Sequence, residues 1–270
     1  MAVRVAIVGA AGRMGQRLIA LAADDADLVV CGAVEHAESP FLGQDAGMLA
    51  IGDELGVAIS ADLAASVAGA DAVIDFSAPS QAVHVAESAI AAGAGYVLGT
   101  TGLTSEQYDG LRALSRRGRL VVASNMSVGV NLLFQLAGQV ARTLGIDYDI
   151  EIIEMHHNQK KDAPSGTAVR LGEVVAEARG LNYETDTEHG RVGMVGAREE
   201  GKIGMHALRG GDVVGDHTVM FATAGERIEL THRASTRDTF AVGALRAAKF
   251  LRDAEPGQYD MAAVLGLTTA

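Results

Sequence analysis

Short runs of β-branched and other apolar residues alternate, through the first half of the chain, with stretches whose apolar positions recur every three or four residues. Val3–Val8, Leu28–Val34 and the segments 72–76, 96–98 and 120–123 read as strands; 13–23, 80–92 and 105–116 read as helices. The strand runs are apolar at successive positions, which predicts burial on both faces. Strands linked through helices predict a parallel sheet, and ligands of such sheets lie beyond the carboxyl ends of the strands. Those ends are Gly9, Glu35, Ser77, Gly99 and Ser124. Thr104, three residues before Gln107, predicts a reciprocal cap that starts the helix at 105.

After Asn125 the pattern changes. Segment 128–144 has helical periodicity, 148–155 reads as a strand, and 165–179 is helical again, so a second domain is expected from about residue 127. Segments 203–208, 217–221 and 228–233 are separated by Gly-Gly-Asp and Ala-Gly-Glu turns and predict a β-meander, each strand beside the next. Residues 182–200, polar and rich in turn formers, predict a long loop.

Composition narrows the class. At roughly 150 residues per domain, 270 residues suggest two compact units. Hydrophobic residues make up 49% and charged residues 21%, yet no apolar run reaches the ~18 residues of a membrane-crossing helix. The net charge of −12, with no basic stripe to offset it, excludes nucleic acid as an expected partner. Cys31 is the one cysteine and lies in an apolar run, which points to a reducing compartment. The opening segment is interrupted by Gly9, Gly12, Arg13 and Gly15 before any cleavage site, so it reads as folded structure and a cytoplasmic location is expected.

Two segments carry chemistry. The first strand runs into Gly-Ala-Ala-Gly-Arg-Met-Gly, residues 9–15, and then into a helix. Gly9 permits a tight turn, Gly12 a close approach of backbone to a pyrophosphate, and Gly15 close packing of helix on strand; the helix amides then face the anion. Glu35, twenty residues after Gly15, is placed to accept hydrogen bonds from an adenine ribose. His36 follows where an arginine would grip a 2′-phosphate, so NADH is expected to serve at least as well as NADPH, with Arg13 the other nearby cation. The second segment is residues 154–168, where His156, His157, Lys160 and Lys161 precede Ser165, a helix cap whose following Gly166 and Thr167 amides form another anion site. This suits a small polyanion. No metal is expected, because adjacent histidines on a strand point apart and the spacing is not that of a zinc helix. A dinucleotide-linked enzyme, a non-catalytic dinucleotide sensor and a metal-assisted lyase using His156, His157 and Asp162 all stay open on these residues alone.

The residues resemble the 4-hydroxy-tetrahydrodipicolinate reductase family, also called dihydrodipicolinate reductases. The resemblance rests on residues 9–15, Glu35, Asp75-Phe76-Ser77, Gly99-Thr100-Thr101-Gly102, Ser124-Asn125-Met126-Ser127, EMHHNQKKDAPSGTA at 154–168, GDVVGDHTVMF at 211–221 and residues 228–236. It implies an α/β protein with a Rossmann-type parallel-sheet dinucleotide-binding domain over 1–126 and 237–270. A second α+β domain with an open mixed sheet, over 127–236, would bind substrate and join subunits into a homotetramer, while the helix at 238–252 returns to the first domain. The implied reaction is NADH- or NADPH-dependent reduction of a cyclic dicarboxylate imine to tetrahydrodipicolinate, in the diaminopimelate route to lysine. By the same resemblance His156 is a proton donor or acceptor, Lys160 is the proton donor, and His157, Gly166 and Thr167 bind substrate. The implied cofactor contacts are Gly9, Ala10, Ala11, Gly12, Arg13, Met14, Glu35, Gly99, Thr100, Thr101, Ala123, Ser124, Asn125 and Met126, beside the His36 already singled out. Hydride addition to such an imine leaves an enamine that must be protonated on carbon, a step to which a positioned acid contributes roughly 10²–10⁴-fold.

Overall fold

The computed structural model describes residues 1–267 and divides into two compact units, one formed by Met1–Val128 with residues 237–267, the other by Gly129–Thr236. The first unit begins β1 (Val3–Val8), α1 (Arg13–Ala23), β2 (Leu28–Val34), α2 (Ala46–Ala50), β3 (Ile59–Ser60), α3 (Leu63–Val67) and β4 (Ala72–Asp75). It continues α4 (Ala82–Ala91), β5 (Gly95–Leu98), α5 (Ser105–Leu114) and β6 (Arg119–Val122). Then come α6 (Val128–Leu144), β7 (Asp149–His156), α7 (Gly166–Arg179), α8 (Tyr183–Asp186) and β8 (Thr187–His189). The second unit ends with β9 (Ile203–Arg209), β10 (Gly215–Thr223) and β11 (Glu226–Ala234), and α9 (Asp238–Arg252), β12 (Gly257–Tyr259) and α10 (Met261–Leu265) rejoin the first.

The first unit is a seven-stranded sheet in the order β12-β6-β5-β4-β1-β2-β3, parallel throughout. Strand order reverses between β1 and β4, where open parallel sheets place their ligands. Register makes this concrete: Val8 pairs with Val34 and Asp75, Asp75 with Leu98, and Leu98 with Val122. Gly9, Glu35, Phe76, Gly99 and Ala123 therefore follow one another along a single edge. Both faces are covered. Val5 and Ile7 pack with Leu18, Ala244 and Ala248 on one side, while Ala6 and Val8 pack with Val85, Ala89 and Leu111 on the other. The reciprocal cap at Thr104 and Gln107 is formed, with bonds of 3.3 and 2.8 Å.

Hydrophobic period did not mark α2, β3, α3, β12 or α10, because side-chain caps and very short pairings hold them. The Asp45 carboxylate accepts from the amides of Gly47, Met48, Leu55 and Val57, Asp62 caps α3, and Asp260 caps α10. β12 pairs with β6 at three positions only.

In the second unit the sheet order is β11-β10-β7-β9-β8, with β7–β9 and β9–β8 parallel and the remaining pairs antiparallel. The expected meander is not formed. β10 and β11 make a hairpin, but β9 lies on the far side of β7, so the Gly-Gly-Asp segment is a crossover. That segment passes over the end of β7 and is tied to it: Gly210 N–H donates to His156 O (2.9 Å), His157 N–H to Val213 O (2.8 Å) and Asn158 N–H to Gly211 O (3.2 Å). Turn composition is the same for a hairpin and for such a crossing; only the partner strand distinguishes them. The stretch 182–200 likewise holds α8 and β8, and Arg191 and Arg198 anchor it to Glu151 of β7 at 2.9–3.1 Å. α6 and α7 cover one face of the sheet, where Ile150, Ile152, Val219 and Phe221 meet Leu133, Ala137, Leu171 and Val175.

Candidate functional site

In the first unit the three glycines of the opening turn have three different reasons. Gly9 has φ +77°, a conformation L side chains rarely adopt, and a Cβ there would stand 3.3 Å from Ser77 Cα. At Gly12 a Cβ would lie 3.1 Å from Gly9 O, and at Gly15 only 2.1 Å from the same atom, so α1 could not pack as it does. Gly12 caps α1 without a side-chain bond, and Glu35 reaches across to the turn, accepting from Ala11 N–H at 2.9 Å. A cavity of about 600 Å³ opens at this edge, lined by Gly9, Gly12, Glu35, His36, Ser77 and His84 among others. His36 is 68% exposed at its side chain, with Nε2 4.0 Å from Glu35 Oε2. Ala10 is fully buried, its N–H donating to Val34 O at 3.0 Å, and Met14 packs on the core, while Arg13 is exposed.

Asp75, wholly buried at the end of β4, organises the opposite wall. Its Oδ1 accepts from Ser77 N–H (2.8 Å) and Ser77 Oγ (2.6 Å), and its Oδ2 from the Tyr96 hydroxyl (2.7 Å). Burial pushes the Asp75 carboxyl up against the pull of these neutral donors. The turn so held sets Ser77 over Gly9 and lays the Phe76 ring where a Cβ at Gly99 would be, 2.2 Å from it. Thr100 Oγ1 reaches the Asp75 carbonyl at 3.4 Å, and Thr101 is exposed. Ala123, Ser124 and Asn125 follow β6 on the same edge, but they and Gly99–Thr101 do not line the cavity. Met126 is 1% exposed, its side chain in the core and its carbonyl over Gly243 of α9, where a Cβ would come within 1.7 Å.

In the second unit β7 alternates Ile150, Ile152, Glu154 and His156 toward α6 and α7. Glu154 Oε2 lies 2.6 Å from His156 Nδ1, Arg209 donates to both Glu154 oxygens at 2.8 and 2.9 Å, and Ser165 N–H donates to Oε1 at 3.1 Å. Burial alone would raise the Glu154 carboxyl; Arg209, His156 and the amide outweigh it and hold it below the ordinary range. Burial lowers His156, opposed by Glu154 and assisted by the charges of Lys160 and Arg209. His217 sits beside it, ring centroids 5.2 Å apart, and bonds Ser165 Oγ at 3.0 Å; burial, with repulsion from His156, takes it down to about 3.

Ser165 is the cap of α7, its Oγ accepting from Ala168 N–H at 3.2 Å. Gly166, the first helical residue, is exposed, and a Cβ there would meet nothing within 4 Å, so packing within the protein does not demand glycine. Lys160 closes a turn through its N–H to His157 O (3.1 Å) and pairs with Asp162 at 2.9 Å; Arg209 also binds Asp162 O, at 2.6 Å. His156, Lys160, Gly166 and Thr167 thus belong to one end of β7 and the helix that follows. Lys161 and Asp162 are exposed, and among the described residues no group of three or more His, Cys, Asp or Glu is arranged for a metal ion. No helix among them is long and apolar enough to cross a membrane.

Glu154, Arg209, His217 and the Asp75–Tyr96 pair are working groups that the sequence patterns do not single out. For Glu154 a signal existed: two positions before His156 on a strand, it stands on the same inward face. Arg209 and His217 arrive from other strands, without a local cue.

Residues 3–126 match the family model for the dihydrodipicolinate reductase N-terminus and residues 129–265 that for its C-terminus. The chain is 52% identical over 264 residues to the 4-hydroxy-tetrahydrodipicolinate reductase of Anaeromyxobacter dehalogenans, covering 98% of each, and 51% identical over 265 residues to that of Geobacter metallireducens, covering 98% of this chain and 99% of that one. A dipicolinate-bound dihydrodipicolinate reductase from Paenisporosarcina sp. TG-14 has a similar fold, with TM-score 0.78 at 24% identity over 96% of this chain and 98% of that one. With both halves matched and about half of all positions shared along nearly its whole length, the chain belongs to the dihydrodipicolinate reductase family.

Proposed function

We propose that this protein reduces a cyclic imine bearing two carboxylates, at the dihydrodipicolinate level, to tetrahydrodipicolinate in the diaminopimelate route to lysine, with NADH or NADPH as the reductant. The first unit is the dinucleotide-binding part. Its fit to a dinucleotide is supported by the cavity at the sheet's switch point, the backbone cradle that a Cβ at Gly12 would crowd, and the Glu35 carboxylate beside the turn amides. Gly9–Met14, Glu35, His36, Gly99–Thr101 and Ala123–Met126 would hold the cofactor, and when bound it supplies the hydride. The exposed His36, where a guanidinium would grip a 2′-phosphate, supports use of NADH at least as readily as NADPH.

The second unit binds the substrate. The start of α7, from Gly166 and Thr167, takes a carboxylate through its amides and dipole, and His157 contributes a further donor. Lys160, held by Asp162 and the turn from His157, draws the substrate by its positive charge and donates the proton that the enamine carbon requires. His156 handles a proton at the same end of β7. Copies of the chain join into a homotetramer through the sheet face turned away from α6 and α7, where Ile153, Met155 and Met220 lie half-buried.

The observation that carries this reading is the gathering of His156, Lys160 and the open Gly166 at one end of a strand and the head of the next helix. An absorbance assay at the reduced-nicotinamide band, with enzymatically generated substrate and each cofactor, tests it. Oxidation that needs both substrate and protein is expected with at least one cofactor; its absence with both overturns the reading.

A further inference from the structure

We propose that Glu154 is the positioning residue of the second unit's site, holding His156 with its proton on Nδ1 and its Nε2 free for the substrate. This rests on reading His156 as a proton-handling group. Glu154 is 1% exposed, and a carboxylate that deep stays ionised only if its oxygens are paired. Here they are: Arg209 grips both, and the Ser165 amide adds a third donor. An ionised carboxylate can only accept, so the His156 Nδ1 at 2.6 Å must be the donor. The neutral ring then carries its lone pair on Nε2. A Cβ at Gly215 would stand 3.0 Å from that atom, so glycine keeps the edge clear.

The groups that face His156 are Glu154 on its own strand, Lys160 on the following loop, Arg209 on β9 and His217 on β10. Glu154 is the one anion among them. Its removal would release the tautomer and also strip away the charge that favours the imidazolium. The pattern is that of a carboxylate orienting a proton-transferring histidine, with Arg209 taking the part of counter-charge.

The test is Glu154→Gln in the full chain, with Glu154→Gln/Arg209→Met beside it so that no buried charge is left alone if the single variant fails to fold. Nitrogen-15 spectra of the free protein, with His156 assigned by its loss in His156→Gln, should show the Nδ1–H tautomer in the unsubstituted chain and a mixture in the variants. Turnover should fall roughly 10- to 100-fold in the folded variant, with cofactor affinity unchanged. The limb of the pH–rate profile governed by His156 should move to lower pH. A native Nε2–H tautomer, turnover within twofold of normal in either folded variant, or an unmoved limb overturns the proposal. The tautomer is read without substrate, so it can fail or hold while the reductase reading does the opposite; normal turnover in His156→Gln would sink the role of His156 itself.

Discussion

Each unit buries one carboxylate at or beside the carboxyl end of a central strand, Asp75 as the last residue of β4 and Glu154 on β7, and the two are satisfied in opposite ways. Asp75 meets only neutral donors, two from Ser77 and one from Tyr96, and burial leaves it above the ordinary range. Glu154 meets a guanidinium, an imidazole and an amide, which together overcome burial and leave it below that range. Neutral donors fix geometry without setting up a charge, as suits a wall that shapes the cavity proposed above for the cofactor. Charged donors also set proton affinities nearby, as suits the proton transfer proposed for this site.

The largest expected break in this comparison is catalytic. His156→Gln and Lys160→Met should each lower turnover by roughly 10²–10⁴-fold while leaving cofactor binding in the first unit unchanged, as read by nicotinamide fluorescence alongside steady-state rates. Near-normal turnover in both would remove proton chemistry from the second unit. Thr167→Ala should act on binding: losing one hydrogen bond of about 0.5–1.5 kcal/mol raises the Michaelis constant roughly 2- to 12-fold with turnover little changed.

A smaller effect sharpens the contrast through stability. Glu154 has a depressed folded value, so its stabilisation is complete above its unfolded value of about 4.3 and is lost as pH falls through the folded one. Asp75 has a raised folded value, so its ionised form is penalised in the fold and the chain gains from its protonation as pH falls through that value. In denaturant titrations at pH 7 and pH 4, the advantage of the unsubstituted chain over Glu154→Gln should therefore shrink on acidification, and its advantage over Asp75→Asn should grow. Parallel shifts in the two variants would show that the carboxylates are not opposites. Glu151, pulled down to about 2 by Arg191, His206 and Arg198 against its burial, should add its own loss between about pH 4.5 and 2, absent in Glu151→Gln. The smallest effect is cofactor choice: NADH should bind at least as tightly as NADPH, and a strong preference for NADPH would mean that His36 and Arg13 grip a 2′-phosphate after all.

Much of this was legible along the chain. β1, α1, β2 and α6 fall where periodicity puts them, the caps at Thr104 and Ser165 are formed, and Gly9 and Gly15 meet the turn and packing constraints that their spacing implies. Less legible was whatever depends on partners distant in sequence. Nothing near residue 209 announces that its guanidinium will bind a carboxylate 55 positions earlier, and nothing in Gly-Gly-Asp tells that β7 will lie between the strands it connects.

Residue order alone determined the alternation of strand and helix, the glycine turn, and the presence of His156, Lys160 and the Ser165 cap in one short segment, because those depend on neighbours within a few positions. Which strand lies beside which, and so which charge stands against His156 and what surrounds Asp75, was decided only when the sheets assembled, because burial and pairing energies belong to groups brought together from separate strands.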